Sequence, residues 1–355
     1  MRTRLRNWAF LAGLYAVAAA GGYLFSRFNL PLPWMIGPMI VTALLTFTGL
    51  STIVVPVSTR PYGQATVASQ VALFFTPSAF QALVMNVPLL VGMALLICVV
   101  AFFVGFVLSK FARIPLANAL IAVLPTSPVE AATTAEHHGF DPAPIILAQI
   151  IRISTVVIAV PMIIYLLYGH SDQNVRRIAT DSSLIEIVTL ALLAWVGVIA
   201  FKRLKISNPY FMGPLALVAF LNVVGVPLTP FPSWILQIAQ IILGTWLGST
   251  FRRSLFTSAK SYTKVAVLCS MLFVATCGLT GAMVAYLFDL PLSLMLLASA
   301  PGGVTEMALT AKVLGIDVSL ITAFHLTRLF IIMPNITWVI AAVARRSDRH
   351  ADGDD

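Results

Sequence analysis

Two glutamates, two arginines and one histidine stand inside long apolar runs, where an ionisable group is costly and therefore informative. Glu130 lies in PTSPVEAATT and Glu306 in PGGVTEMALT, while Arg152 lies in LAQIIRIS and Arg328 in AFHLTRLF. A carboxylate so placed can carry a proton or a cation. It can equally complement the partial positive charge of a helix N-terminus. An arginine in such a run costs about 2.5–3.5 kcal/mol on insertion scales unless it snorkels or is paired, and Arg152 sits too far along its run for easy snorkelling. Two roles fit both arginines: an ion pair with Glu130 or Glu306 that locks helices together, or an anion-binding or gating contact. Gln149 precedes Arg152 by three residues and His325 precedes Arg328 by three, so each pair shares one helix face. His325 fits a proton relay, or a packed histidine with its hydrogen bonds satisfied.

The backbone beside the glutamates is interrupted. Pro125-Thr126-Ser127-Pro128 breaks one apolar run and Pro301-Gly302-Gly303 the other, and the stretch before each break is too short to span a bilayer. Ser127 or Thr126 is placed to cap a restarting helix in the first case, and Gly302 and Gly303 free the backbone in the second. A restarted helix offers unsatisfied N–H groups to an anion. The candidate substrate or ion site is therefore Pro125, Thr126, Ser127, Glu130, Arg152, Pro301, Gly302, Gly303, Thr305, Glu306, His325 and Arg328. Gln64, Gln149 and Gln240 are secondary candidates, able to line a cavity or to bridge helices. Asp141 and Asp317 fit helix caps. PWMIGP (33–38) and PYFMGP (209–214) point to kinks or close helix crossings.

The elements that must hold these residues are membrane helices. The chain is 59% hydrophobic and 10% charged, with mean hydropathy +0.95, whereas soluble domains carry about 25% charged residues. Apolar segments recur at 7–26, 31–50, 60–80, 85–109, 116–138 and 142–168, then at 182–202, 209–226, 232–251, 264–288, 291–314 and 317–343.

The second six repeat the first. At an offset of 176 residues Pro33, Gly37 and Pro38 meet Pro209, Gly213 and Pro214, and Gln64 meets Gln240. At the same offset Pro125 meets Pro301, Glu130 meets Glu306, Asp141 meets Asp317 and Arg152 meets Arg328. Prolines, glycines and rare membrane charges in one register point to a duplication: a first repeat over 1–168, a polar linker over 169–181, a second repeat over 182–343, and a charged, disordered tail over 344–355.

Positive charges then set topology. If all twelve segments cross, 11 Lys and Arg lie on one side and 8 on the other. If the fifth segment of each repeat enters and leaves by the same side, the division becomes 16 against 3, only Arg27, Arg176 and Arg177 falling outside. That parity gives an all-α polytopic bundle of about ten spans plus two interrupted or re-entrant segments. Both termini are cytoplasmic and the second repeat is inverted.

The remaining features exclude function classes. Cys98, Cys269 and Cys277 have no metal-ligand spacing, and the five histidines form no ligand signature. No phosphate-cradling loop, HExxH or GxSxG is present. The net charge of +9 falls mostly on short connections, where topology explains it without nucleic acid. The apolar N-terminus lacks a clear cleavage signal and reads as a first helix.

Ala239-Gln240, Gly244 and Gly248, then Pro301-Gly302-Gly303-Val304-Thr305-Glu306-Met307, then His325 and Arg328, resemble the pattern of the AbrB-like membrane protein family. The first repeat keeps Gly63-Gln64, Pro125, Glu130 and Arg152 but has Thr126-Ser127-Pro128 where the family tends to Gly-Gly. Members have carried the labels ammonia monooxygenase or regulator of gene expression, and the small DNA-binding protein of the same name is unrelated. The resemblance covers nearly the whole chain. It implies a multi-pass inner-membrane secondary transporter, related to cation/proton antiporter and bile-acid-transporter-like folds and often dimeric. The breaks with Arg152 and Arg328 lean toward a small organic anion moved with H+ or Na+ by alternating access. Ammonium or a drug-like cation through Glu130 and Glu306 is the other reading, and no cofactor or metal is expected. A membrane regulator without a transport cycle is the alternative. No copper or iron ligand set supports an oxygenase.

Overall fold

The computed structural model describes residues 2–50, 55–126, 128–168, 183–206, 208–253, 256 and 260–351; Ser127 and the linker 169–181 lie outside the described residues. Every regular element among them is helical. In chain order these are α1 (Arg2–Arg27), α2 (Pro33–Phe47), α3 (Arg60–Ala72), α4 (Pro77–Met85), α5 (Val87–Ala112), α6 (Leu116–Val123), α7 (Pro128–His137) and α8 (Pro142–Tyr168). There follow α9 (Leu184–Arg203), α10 (Pro209–Val223), α11 (Ser233–Ser249), α12 (Lys260–Leu287), α13 (Leu292–Ser299), α14 (Val304–Leu314) and α15 (Val318–Ala351).

Among the described residues, four helices are long and apolar enough to cross a membrane: α5, α8, α9 and the stretch Ser261–Leu287 of α12. A fifth span arises if α3 and α4, bent by 89° at the intervening break, count as one. The protein is thus a helical membrane protein by length and composition. The bend divides what reads in sequence as one segment, 60–80. Pro77 cannot donate to the previous turn and disfavours helix at Thr76, and the Thr76 hydroxyl instead accepts from Ala79 N at 3.2 Å. Helices α2 and α10 have 15 residues each, about 22 Å at 1.5 Å per residue, short of a hydrocarbon core of about 30 Å. Helix α15 runs on to Ala351, through most of the tail whose charge predicts disorder; Ala341, Ala342 and Ala344 favour helix there, and between Pro334 and Gly353 no proline or glycine interrupts the chain.

The backbone repeats at the spacing found in sequence. Helices α2 and α10 begin and end at equivalent residues, as do α6 and α13. All positive-φ residues among those described fall into pairs at that offset: Asn29 with Lys205, Leu32 with Asn208, Gly49 with Gly225, Arg113 with Asp289, Gly139 with Gly315. Three of these pairs match unlike side chains, so the shared conformation belongs to the chain path and not to residue identity.

The chain forms two compact units, each drawing on both repeats. One comprises Met1–Met85, Pro161–Arg253 and Ala308–Leu320. Within it α2 packs on α1 and α11, α10 packs on α9 and α3, and α3 crosses α11. Small residues allow the backbones to meet: a methyl group at Gly37 would strike the Gly21 carbonyl, and one at Gly213 the Gly197 carbonyl. Gln64 and Gln240 are both buried beside the α3–α11 crossing, where Gly63 rests on the Ala239 carbonyl.

The other unit comprises Asn86–Val160, Ser254–Met307 and Ile321–Asp355. Here α5 packs on α6, α12 on α13, and α5 on α12. Its core joins Ile97, Leu108, Leu120, Ile151, Phe273 and Cys277. This unit holds Arg152, His325, Arg328, the first interrupted segment, and the second as far as Met307.

Replacing Gly213 by Val should lower the thermal midpoint of the detergent-solubilised protein by several degrees, since overpacking a tight contact costs about 1–3 kcal/mol. Gly92→Val, where nothing lies within 4 Å of an added methyl group, should leave the midpoint unchanged.

Candidate functional site

Each interrupted segment is a short helix, an extended break and a second short helix. Helix α6 ends at Leu124 (φ −52°, ψ 132°) and α13 ends at Ala300 (φ −55°, ψ 134°). Pro125 and Pro301 follow directly, which excludes α geometry at the preceding residue. The last carbonyls of α6 and α13 consequently have no helical N–H to accept from, and in a membrane they have little water either.

The arginines supply the missing donors. Arg152 Nη1 donates to Val123 O (3.0 Å) and Leu124 O (2.7 Å), and its Nη2 donates to Thr126 O (3.0 Å). Arg328 Nη1 donates to Ala300 O (2.8 Å) and its Nη2 to Gly302 O (2.6 Å). Leu124 and Ala300, and likewise Thr126 and Gly302, are equivalent at the 176-residue offset. Both arginines are 3% exposed. The hydrogen bonds of these guanidinium groups run to backbone carbonyls, and Glu306 stands within electrostatic reach of Arg152. The groups staple backbone oxygens, because the planar fork spans two carbonyls at once and its positive charge meets the negative end of a helix dipole.

Gln149 and His325 reinforce the staples one turn earlier. Gln149 Nε2 donates to Ile121 O (2.9 Å) and Leu124 O (3.0 Å). His325 Nε2 lies 3.1 Å from Leu297 O, the counterpart of Ile121 O. A carbonyl only accepts, so Nε2 carries the imidazole proton. Both side chains are fully buried. Sequence placed them on the arginine face; the structure shows that they bind the same breaks.

The two breaks converge. A methyl group on Gly302 would strike the Val156 side chain, one turn beyond Arg152, as well as Met307. Arg152 also stands within electrostatic reach of Arg328 and Glu306. Cys277, fully buried on α12, lies within reach of both arginines; nothing in its sequence context marks it as a neighbour of the site.

Glu130 and Glu306 occupy the first turns of α7 and α14, and both are half-buried. The Glu306 carboxylate folds back over Gly303, where any β-carbon would collide with it. The N-terminal dipole account therefore describes its local geometry. Thr305 is buried beside it, and Pro301 and Gly302 are buried in the break. In the first repeat Pro125 and Thr126 are buried too, but the Thr126 hydroxyl points to Leu124 O (3.4 Å) and so does not cap α7. The caps expected beyond the breaks are present: Asp141 accepts from Ala143 N (2.9 Å) and Asp317 from Leu320 N (3.0 Å). Gln64 and Gln240 belong to the other compact unit. A groove of about 480 Å³, bordered by Cys98, Phe102, Leu120, Leu124, Ile332 and Trp338, opens beside the first break; it is apolar and supplies no charge. Among the described residues no cluster of His, Cys, Asp or Glu is arranged to hold a metal ion.

A family model described as "Transition state regulatory protein AbrB" matches residues 2–61 and 51–344. The chain is 26% identical over 341 residues to the YhjN protein of Bacillus subtilis (strain 168), with 90% of this chain and 89% of that protein covered. It is 22% identical over 330 residues to a protein of Escherichia coli (strain K12) named as a regulator, AbrB, with 92% and 93% covered.

Arg328→Lys keeps the charge but cannot span Ala300 O and Gly302 O together. It should lower stability by about 2–4 kcal/mol, by analogy with breaking buried charge-assisted contacts, and Arg152→Lys should do the same. Thermal unfolding in detergent reads both, and a midpoint equal to wild type in either variant contradicts the staple.

Proposed function

The chain belongs to the AbrB family, and from that premise we propose that it is a secondary active transporter of a small organic anion coupled to H+ or Na+. The observation that carries this reading is the pair of interrupted helices, related by the internal offset, with buried arginines holding their carbonyl oxygens. Irregular backbone at membrane depth persists where protein or an aqueous cavity satisfies it, and matched breaks in two repeats are where inverted-repeat transporters place substrate. Glu130 and Glu306 at the restarted helices supply a carboxylate in each repeat for the coupling cation, while the helix N-termini favour a negative solute.

The proposed cycle is alternating access around the interrupted helices. About ten crossings, cytoplasmic termini and an inverted second repeat give the positive charges their best distribution. The protein would work in the cell inner membrane, as a homodimer, without cofactor or metal, as neither an enzyme nor a nucleic-acid binder. A second reading, a membrane regulator without transport, is favoured by the name of the Escherichia coli relative.

Thermal shifts of the purified protein against carboxylates, amines and alkali cations at pH 5.5 and 8 test the reading. A substrate at a hundredfold its Kd should stabilise wild type by about 2.7 kcal/mol, and Glu306→Gln should abolish its uptake into proteoliposomes. Absence of any stabilising solute, with a protein partner co-purifying in fixed proportion, would replace the transporter by the regulator.

A further inference from the structure

The two arginine stations share backbone geometry but differ in one atom that can change its chemistry. At each station a buried donor and a second buried polar atom make no hydrogen bond with any described group. They are Arg152 Nε and Gln149 Oε1 in the first repeat, and Arg328 Nε and His325 Nδ1 in the second. Polar atoms so deeply buried are normally satisfied, so an equivalent unmatched pair at both stations calls for a partner. Each arginine Nε–H is a donor seeking an acceptor. The second atom is an acceptor in both repeats. Gln149 spends both amide hydrogens on Ile121 O and Leu124 O, leaving Oε1 without a donor, and His325 spends its one hydrogen on Leu297 O, leaving the Nδ1 lone pair.

An anion accepts and cannot donate. At the first station it would gain Arg152 Nε–H but meet the Gln149 oxygen, which no accessible pH converts into a donor. At the second, protonation converts His325 Nδ1 from acceptor to donor, and the anion then gains two donors three residues apart on one helix. We propose that the second repeat alone binds the transported anion, and that it does so together with one proton taken up on His325 Nδ1. This rests on the transporter reading and adds the coupling ion and the repeat that uses it.

The step balances in charge and atoms. A carboxylic acid gives its proton to Nδ1: the O–H bond breaks, the Nδ1–H bond forms, and the carboxylate remains with Nδ1–H and Arg328 Nε–H as donors. Arg328 already places one positive charge on this face. A second one inside a membrane is tolerated only with a negative partner, so proton and anion enter and leave as a neutral pair. The ionisable groups around the station are Arg328 on its own helix, Arg152 on α8, Cys98 on α5, Cys277 on α12 and Glu306 on α14. Of these, Glu306 is the carboxylate that can exchange the proton with water at the restarted helix.

The test is nitrogen NMR of full-length protein labelled with 15N-histidine in nanodiscs, with acetate as probe and the His325 signal assigned from His325→Gln. That variant reproduces the first repeat's chemistry and should fold with a near-wild-type thermal midpoint. Without acetate His325 should carry hydrogen on Nε2 only; with saturating acetate it should carry hydrogen on both nitrogens. Acetate calorimetry in two buffers of different ionisation heat should show proton uptake by wild type and by Gln149→Ala, and none by His325→Gln. A neutral His325 under every condition, or equal proton uptake in His325→Gln, overturns the proposal. Either result leaves transport standing if solute flux still stops in Glu306→Gln. Absence of flux for every solute removes both.

Discussion

The rest of the structure depends on how an interrupted helix can exist where water cannot solvate it. Ending α6 at Leu124 and α13 at Ala300 strands the carbonyl oxygens of a helix terminus. Each left unsatisfied in an apolar medium costs several kcal/mol. A guanidinium group answers this constraint because it delivers parallel N–H donors and a positive charge to the negative pole of the dipole. The cost of burying Arg152 and Arg328 is thus offset by the cost of stranding the carbonyls, and neither group is stable there alone. This interdependence accounts for break and arginine occurring together in both repeats.

Satisfying the backbone also limits what the arginines can do. Arg152 commits three terminal N–H bonds to Val123, Leu124 and Thr126, and Arg328 two to Ala300 and Gly302, while the Nε–H of each takes no part in holding the breaks. A buried arginine in a membrane protein therefore need not present its whole charge to a ligand. It can hold the architecture with one edge and recognise a solute with the other.

The duplication supplies two nearly identical frames, and divergence at a few side chains then distinguishes them. Equivalent φ angles at Leu32 and Asn208, or at Arg113 and Asp289, show that the path survives replacement of the residue. At the stations the path is again the same, while Gln149 faces His325 across the internal offset and Thr126-Ser127 stand where the second repeat has Gly302-Gly303. The second break leaves room for the Glu306 carboxylate to fold over Gly303. Two frames with one titratable station give a chemical asymmetry on a symmetric backbone.

Sequence alone determined the helical, membrane-embedded class, the 176-residue repeat, the two breaks and the short roster of ionisable residues near them. Each is a local or periodic property: apolar runs, proline placement, and rare charges in register. It also gave the shared face of Gln149 with Arg152 and of His325 with Arg328, since helical spacing fixes that. It did not reveal the partners of those side chains, because backbone carbonyls are the same at every residue and carry no sequence signal. The bend between α3 and α4 was hidden in a run that stays apolar throughout. The nearness of Cys277 to both arginines, and of Gly302 to Val156, arises from long-range packing of elements far apart in the chain. What tertiary structure decided was the use of each charge: which atoms of Arg152 and Arg328 are consumed in holding the breaks, and which remain for chemistry.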